Sequence, residues 1–253
     1  LGSYKSICRH GLGYTKMEAE YDGISSKASY YVPLGNSYEV WGLSLTNHSD
    51  KRRELTLTGY AEFTNHSNYE QDQVNLQYSL FIGRTLFQGN RIVQQIHGNL
   101  DALPEQEKID EKNVTERFFG LAGAEVSSYC GDKNHFLGAY HGYRNPQGVA
   151  SGNLGNVLSY NENSCGSLSC TISLEPEETK TVAFLLGEQY SQEAAAIIAS
   201  YQNAEAAIKR ELDGLKSYWD GNLSRLKVTT PCPEFNTMVN TWNPYNCFMT
   251  FLW

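Results

Sequence analysis

SCTISLEPEETKTVAFLLGEQYSQEAAAIIASYQ, running from Ser169 to Gln202, carries the chain from one kind of structure into another. Two β-forming runs, Ser169 to Glu175 and Thr179 to Gly187, flank Pro176-Glu177-Glu178, and this pattern predicts a hairpin. After Gln189 the composition changes abruptly. Ser191 to Gln202 is rich in Ala and predicts a helix with Ser191 as its cap. A β region therefore ends near residue 188 and a helical one begins.

Upstream, the same strand signal recurs. Ser37 to Asn47 (SYEVWGLSLTN) and Glu54 to Phe63 (ELTLTGYAEF) alternate apolar and polar residues around the turn formers Asn47-His48-Ser49-Asp50-Lys51. Asn75 to Gly83, Arg91 to His97 and His135 to Gly142 also read as strands, whereas Asp101 to Glu116 reads as a solvated loop or short surface helix. Many short strands between turn signals predict a large β-sandwich or barrel over residues 1–188.

Downstream, Asn203 is placed to cap a second helix. In it Ile208, Leu212, Leu215, Trp219, Leu223 and Leu226 recur at intervals of three and four, while Gly214 and Gly221 weaken it by ~1 kcal/mol each relative to Ala. Thr229-Thr230-Pro231-Cys232-Pro233 closes this helical pair, which spans 189–230. In 231–253 the apolar residues Phe235, Met238, Val239, Trp242, Tyr245, Phe248, Met249 and Leu252 have helical spacing, and Pro244 is expected to kink or split the helix. So apolar a stripe needs a surface to bury against: an amphipathic helix docking on the same domain is one reading, and the favoured expectation is that 231–253 is the first helix of a further, truncated helical domain.

Composition narrows the function. The 253 residues carry a net charge of −8 with a pI near 5.3, which disfavours phosphate backbones and anionic lipid. No apolar run approaches the ~18 residues of a membrane span, and residues 1–5 do not read as a signal peptide. Cys8, Cys130, Cys165, Cys170, Cys232 and Cys247 form no CxxC pair and no zinc spacing, which suits a cytoplasmic setting; a Cys165–Cys170 disulfide is conceivable but has no support. Gly11-Leu12-Gly13 lacks the third glycine of a dinucleotide fingerprint, and neither a Walker sequence, an HExxH nor a GxSxG elbow occurs.

One stretch has the composition of a site. Thr64 to Tyr78, TNHSNYEQDQVNLQY, is packed with amides, carboxylates and tyrosines. Sugar hydroxyls both donate and accept, so a sugar site calls for such groups beside an aromatic face. A polar turn whose amides satisfy their own backbone has the same composition. Glu70 and Asp72 are a carboxylate pair of the kind glycoside chemistry uses, although loop carboxylates are common.

Four pieces of the chain together resemble the inverting cellobiose and cellodextrin phosphorylases: Cys8 to Thr15 (CRHGLGYT), Tyr31 to Gly35 (YVPLG), Glu39 to Asn47 (EVWGLSLTN) and Met238 to Phe251 (MVNTWNPYNCFMTF). The resemblance implies a mainly β architecture: a β-supersandwich over 1–188, with its N-terminal part missing, a two-helix linker over 189–230, and the first helix of an (α/α)6 catalytic barrel over 231–253. It also implies that the general-acid aspartate and the phosphate-binding residues lie beyond Trp253, so that no catalytic residue is expected here. Within Thr64 to Tyr78, Asn68, Asn75 and Gln77 match the family's acceptor-sugar subsite. Leu76 replaces an aromatic residue and Tyr78 stands where the family pattern has Arg, which brings the segment nearer to the cellodextrin phosphorylases. Asn68, Asn75, Gln77 and Tyr78 are thus the expected substrate-binding residues. The implied partners are a β-glucan oligosaccharide and inorganic phosphate as co-substrate, in a cytoplasmic homodimer without metal or organic cofactor.

Overall fold

The computed structural model describes residues 5–63, 83–96 and 115–252. Among them two antiparallel sheets stack. The larger runs β1 (Lys5–Gly11), β2 (Tyr14–Tyr21), β3 (Ile24–Tyr31), β4 (Tyr38–Asn47), β11 (Thr179–Tyr190), β8 (Thr115–Ala122), β7 (Arg91–Ile96) and β6 (Gly83–Phe87), in that spatial order. The smaller places β10 (Ser164–Leu174) between β5 (Arg53–Glu62) and β9 (Ser128–Asp132). The mainly β expectation holds. No helix among the described residues is long and apolar enough to cross a membrane.

The hairpin expected around Pro176 does not form. Its first arm lies in β10, which pairs with β5 and β9, and its second in β11, which pairs with β4 and β8. The turn is a corner between sheets, and the turn after β4 is another. Asn47 fastens the two corners together. Its Nδ2 donates to Lys51 O (2.8 Å) and Leu174 O (3.1 Å), its Oδ1 accepts from Ser49 N and Oγ, and its backbone pairs with Glu177 and Glu178.

Strand β11 shows why a sandwich core looks continuous in sequence. Val182 and Phe184 face the smaller sheet with Leu45, Phe119, Leu121, Leu168 and Leu174, while Ala183 and Leu185 face the other way. There they meet α3 (Ser191–Ser200) and α4 (Ala204–Leu223) through Ile198, Tyr201, Ile208, Leu212 and Leu215. With both faces covered the strand reads as an unbroken apolar run, and each such side chain contributes roughly 1.5–3 kcal/mol by burial. Close approach between the sheets needs Gly59, where a Cβ would come within 2.6 Å of the Phe184 ring and 2.8 Å of Phe119.

Helix α4 follows its expected pattern. Asn203 Oδ1 accepts from Ala206 N–H (3.2 Å), and Ile208, Leu212, Leu215 and Trp219 are buried; Leu226 lies beyond the helix end and is exposed. In α3 the cap position falls on Tyr190, and Ser191 is already helical. The strand expected over His135–Gly142 is replaced by α1 (Lys133–Leu137), because Asp132 Oδ1 caps His135 N–H (2.8 Å) and Gly138, at φ 81°, ends the turn. A second short helix, α2 (Gln147–Ala150), follows. Glu116, expected in a solvated segment, is buried on β8. All six cysteines are free. Cys165 and Cys170 lie five residues apart on an extended strand, roughly 16 Å, which is far beyond disulfide reach.

The last segment forms α5 (Pro233–Thr237), a π-helical turn (Met238–Trp242) and α6 (Asn243–Leu252). The segment is thus split, as expected from Pro244: a wide turn ending at Trp242 separates α5 from α6, and Pro244 lies in the first turn of α6. Asn240 exchanges two 2.8 Å bonds with the Val228 backbone, and Asn236 accepts from Thr230 N–H and donates to Thr230 O, so the incoming chain is pinned along these helices.

Candidate functional site

Asn68, Asn75, Gln77 and Tyr78, like Glu70 and Asp72, lie outside the described residues. The strands on either side of them are well defined. Chain leaves the smaller sheet at Glu62 and Phe63 and re-enters the larger one at Gly83. Segment Ser159–Ser164 ties the two points: Ser159 O accepts from Thr85 N–H (2.9 Å), and Ser164 O from Phe63 N–H (3.4 Å).

At the point of exit, Glu62 gathers side chains from three elements. Its Oε1 accepts from Tyr60 OH (2.9 Å) and Tyr143 OH (2.5 Å), and its Oε2 from Lys133 Nζ (2.9 Å). Burial pushes the Glu62 carboxyl up, but the hydrogen bonds from Tyr143, Lys133 and Tyr60 outweigh it and hold the group below the usual carboxylate range. The Lys133 ammonium is shifted upward by Tyr143 and Glu62, and the Tyr60 hydroxyl upward by burial and by Glu62. Tyr60 stacks on Phe136 of α1 with centroids 4.2 Å apart. Both carboxylate oxygens being engaged, Glu62 acts as a brace.

At the point of return, polar side chains cross the larger sheet in rows. Arg84 donates twice to Gln95 Oε1 (2.8 and 3.1 Å), and Gln95 Nε2 donates to Glu116 Oε1 (2.6 Å). On the opposite face Arg117 donates to Gln94 Oε1 (3.2 Å) and pairs with Glu188 at 3.4 Å. Gln94 is 1% exposed and Glu116 5%, and Glu116 Oε2 has no hydrogen-bond partner among the described residues. Hydrogen bonding along these rows offsets the cost of burying polar groups at a strand end. Sequence reading missed these rows, because Arg91 to His97 reads only as a strand and Glu116 as the end of a solvated segment. The adjacent pair Gln94-Gln95 within an apolar strand was the available signal.

Residues 2–204 match the family described as glycosyl hydrolase 94, supersandwich domain. An N,N'-diacetylchitobiose phosphorylase of Vibrio proteolyticus is 29% identical over 246 residues, which are 97% of this chain and 29% of that protein. A solabiose phosphorylase of Paenibacillus borealis is 29% identical over 93% of this chain and 29% of its own length. A 3-O-beta-D-glucopyranosyl-beta-D-glucuronide phosphorylase of the same organism is 26% identical over 93% of this chain and 29% of its own. The chain thus spans 29% of the length of these curated relatives.

Proposed function

Since the chain belongs to the glycosyl hydrolase 94 supersandwich family, we propose that it works as the supersandwich of an inverting phosphorylase of β-linked oligosaccharides, with cello-oligosaccharides as substrate. The family match over 2–204, together with relatives named phosphorylases over nearly the whole chain, carries the reading. In this reaction phosphate attacks the anomeric carbon, a carboxylic acid protonates the glycosidic oxygen, and the sugar 1-phosphate leaves with inversion. Phosphate is already an anion, so the second carboxylate that activates water in an inverting hydrolase is not needed. In this chain Asn68, Asn75 and Gln77 bind acceptor hydroxyls, and Tyr78, standing where the family pattern has Arg, offers a ring face to a further sugar unit. The helices over 189–230 link the sandwich to the catalytic barrel, which begins in 231–253. The protein acts in the cytoplasm as a homodimer and needs phosphate as co-substrate but no resident cofactor.

A second reading, N,N'-diacetylchitobiose as substrate, is favoured by the names of two Vibrio relatives, each 29% identical. Full-length protein incubated with phosphate and, separately, cellobiose, cellotetraose and N,N'-diacetylchitobiose decides between them. Release of α-glucose 1-phosphate fastest from cellotetraose is the expected result. A preference for diacetylchitobiose replaces the substrate, and no sugar phosphate from any of the three removes the phosphorylase reading.

A further inference from the structure

Between α1 and α2 the chain runs through Gly138 to Pro146, GAYHGYRNP, a turn braced from within whose tyrosines face solvent. His141 N–H donates to Gly138 O (3.2 Å), Asn145 N–H donates to Gly142 O (3.0 Å), and His141 Nδ1 lies 2.9 Å from Asn145 O. Tyr143 is held at its hydroxyl by Glu62, meets the Tyr60 ring at 6.5 Å with the planes steeply tilted, and has Lys133 Nζ 5.6 Å from its centroid. It nevertheless remains 61% exposed. Tyr140 is fully exposed at φ 64°, a backbone region in which a bulky residue is an outlier.

An ordinary surface tyrosine turns freely. Here the hydroxyl bond to Glu62 favours one orientation of the Tyr143 ring, which lowers the entropic cost of binding against it. No Leu, Ile, Val or Met lies between Gly138 and Pro146. The apolar surface of the turn comes mainly from tyrosine rings, set among Lys133, Glu62, His141 and Arg144. A protein-docking patch would centre on a contiguous apolar core. A ring face rimmed by donors and acceptors instead matches a pyranose, with its apolar C–H face and its belt of hydroxyls.

We propose that Tyr143, with Tyr140 in the same turn, is an outer platform that stacks a distal pyranose unit of a β-linked oligosaccharide, and that Glu62 and Lys133 are its positioning residues. The choice of sugar rests on the phosphorylase reading above. Calorimetric titration of the full-length protein with cellotetraose and with tetra-N-acetylchitotetraose tests it, using Tyr143→Ala, Tyr143→Phe and Tyr140→Ala, with sugar-phosphate release and thermal midpoint measured on the same preparations. Tyr143→Ala is expected to weaken the bound tetrasaccharide about fivefold while leaving the KM for the disaccharide unchanged, and Tyr143→Phe, which keeps the ring but loses its hydroxyl bond to Glu62, to fall between Tyr143→Ala and wild type. Binding that depends on Tyr143 without any sugar-phosphate release leaves the platform standing and removes the phosphorylase reading. Catalysis with tetrasaccharide affinity unchanged in both alanine variants, or a wild-type protein that binds neither tetrasaccharide, overturns the platform. So does unchanged affinity accompanied by a loss of oligomeric mass in Tyr143→Ala, which would make the turn a protein contact.

Discussion

Asn47 and Glu62 show how single polar side chains hold this sandwich together. Asn47 is fully buried, and its amide satisfies the Lys51 and Leu174 carbonyls while accepting from Ser49. Alanine there would leave two carbonyls and a corner backbone without their partner. At ~1–3 kcal/mol for an orphaned buried group, Asn47→Ala is expected to lower unfolding free energy by roughly 2–4 kcal/mol, read from urea denaturation. Glu62 gives a pH-dependent contribution. Its folded-state pKa is depressed, so its ionised form supports the fold above the ordinary glutamate value of about 4.5 and loses that role as pH falls toward the depressed value. Urea midpoints of wild type and Glu62→Gln should therefore differ at pH 7 and converge as pH drops below about 4.5. A gap that stays constant with pH would assign the effect to packing alone.

Helix α4 is locked to the larger sheet by a carboxylate as well as by its apolar face. Glu211 Oε2 accepts from Tyr31 OH (2.8 Å) and Tyr201 OH (2.6 Å), and burial followed by this bond drives both phenols upward. Glu211→Ala would remove the shared acceptor of two hydroxyls, leaving Tyr201 only its long bond to Tyr38 (3.5 Å) and its contact with Tyr31. A loss of roughly 2–3 kcal/mol in a urea titration is expected, with Glu211→Gln losing less because its amide oxygen still accepts. The α4 pattern was legible in sequence because Asn203 and the three-and-four spacing are local signals. Partner choice among strands was not. The alternation in Ser169–Glu175 and Thr179–Gly187 identifies strands, but a short turn closes a hairpin or rounds a sheet corner with the same residues. The corner is fastened by Asn47, more than a hundred residues away, and by core contacts between the two sheets. HFLGAYHG misled because Asp132, one turn upstream, outcompeted its strand propensity by capping α1. The brace around Glu62 had no local signature either, since Tyr143 meets it across 81 residues of chain. The amide-rich stretch containing Asn68, Asn75 and Gln77 was conspicuous by composition, though composition cannot position it.

At the scale of the molecule, stability is layered. The two sheets and the α3–α4 pair enclose buried cores on both faces of β11, whereas α5, the π-helical turn and α6 contain no buried residue. Phe235, Met238, Trp242, Met249, Phe251 and Leu252 are exposed, and this segment meets α4 through aromatic rings, Trp219 lying 5.0 Å from Tyr245 and 5.3 Å from Phe248. Local opening is governed by the surface buried within the unit that opens, not by the stability of the whole. Amides of Pro233–Leu252 should therefore exchange through a low-energy opening, while those of β4, β11 and the buried turns of α4 exchange only on global unfolding. Hydrogen–deuterium exchange followed by mass spectrometry on this 253-residue chain tests the difference. Peptides from the last three helical pieces should reach full exchange at least tenfold sooner than those from β11. Trp219→Ala should accelerate them more than it accelerates β4, because it removes the rings' common partner, whereas β4 responds only to the loss of global stability that truncating a buried Trp brings. Equal protection in Pro233–Leu252 and β11 would show that the final helices are part of the sandwich's cooperative unit.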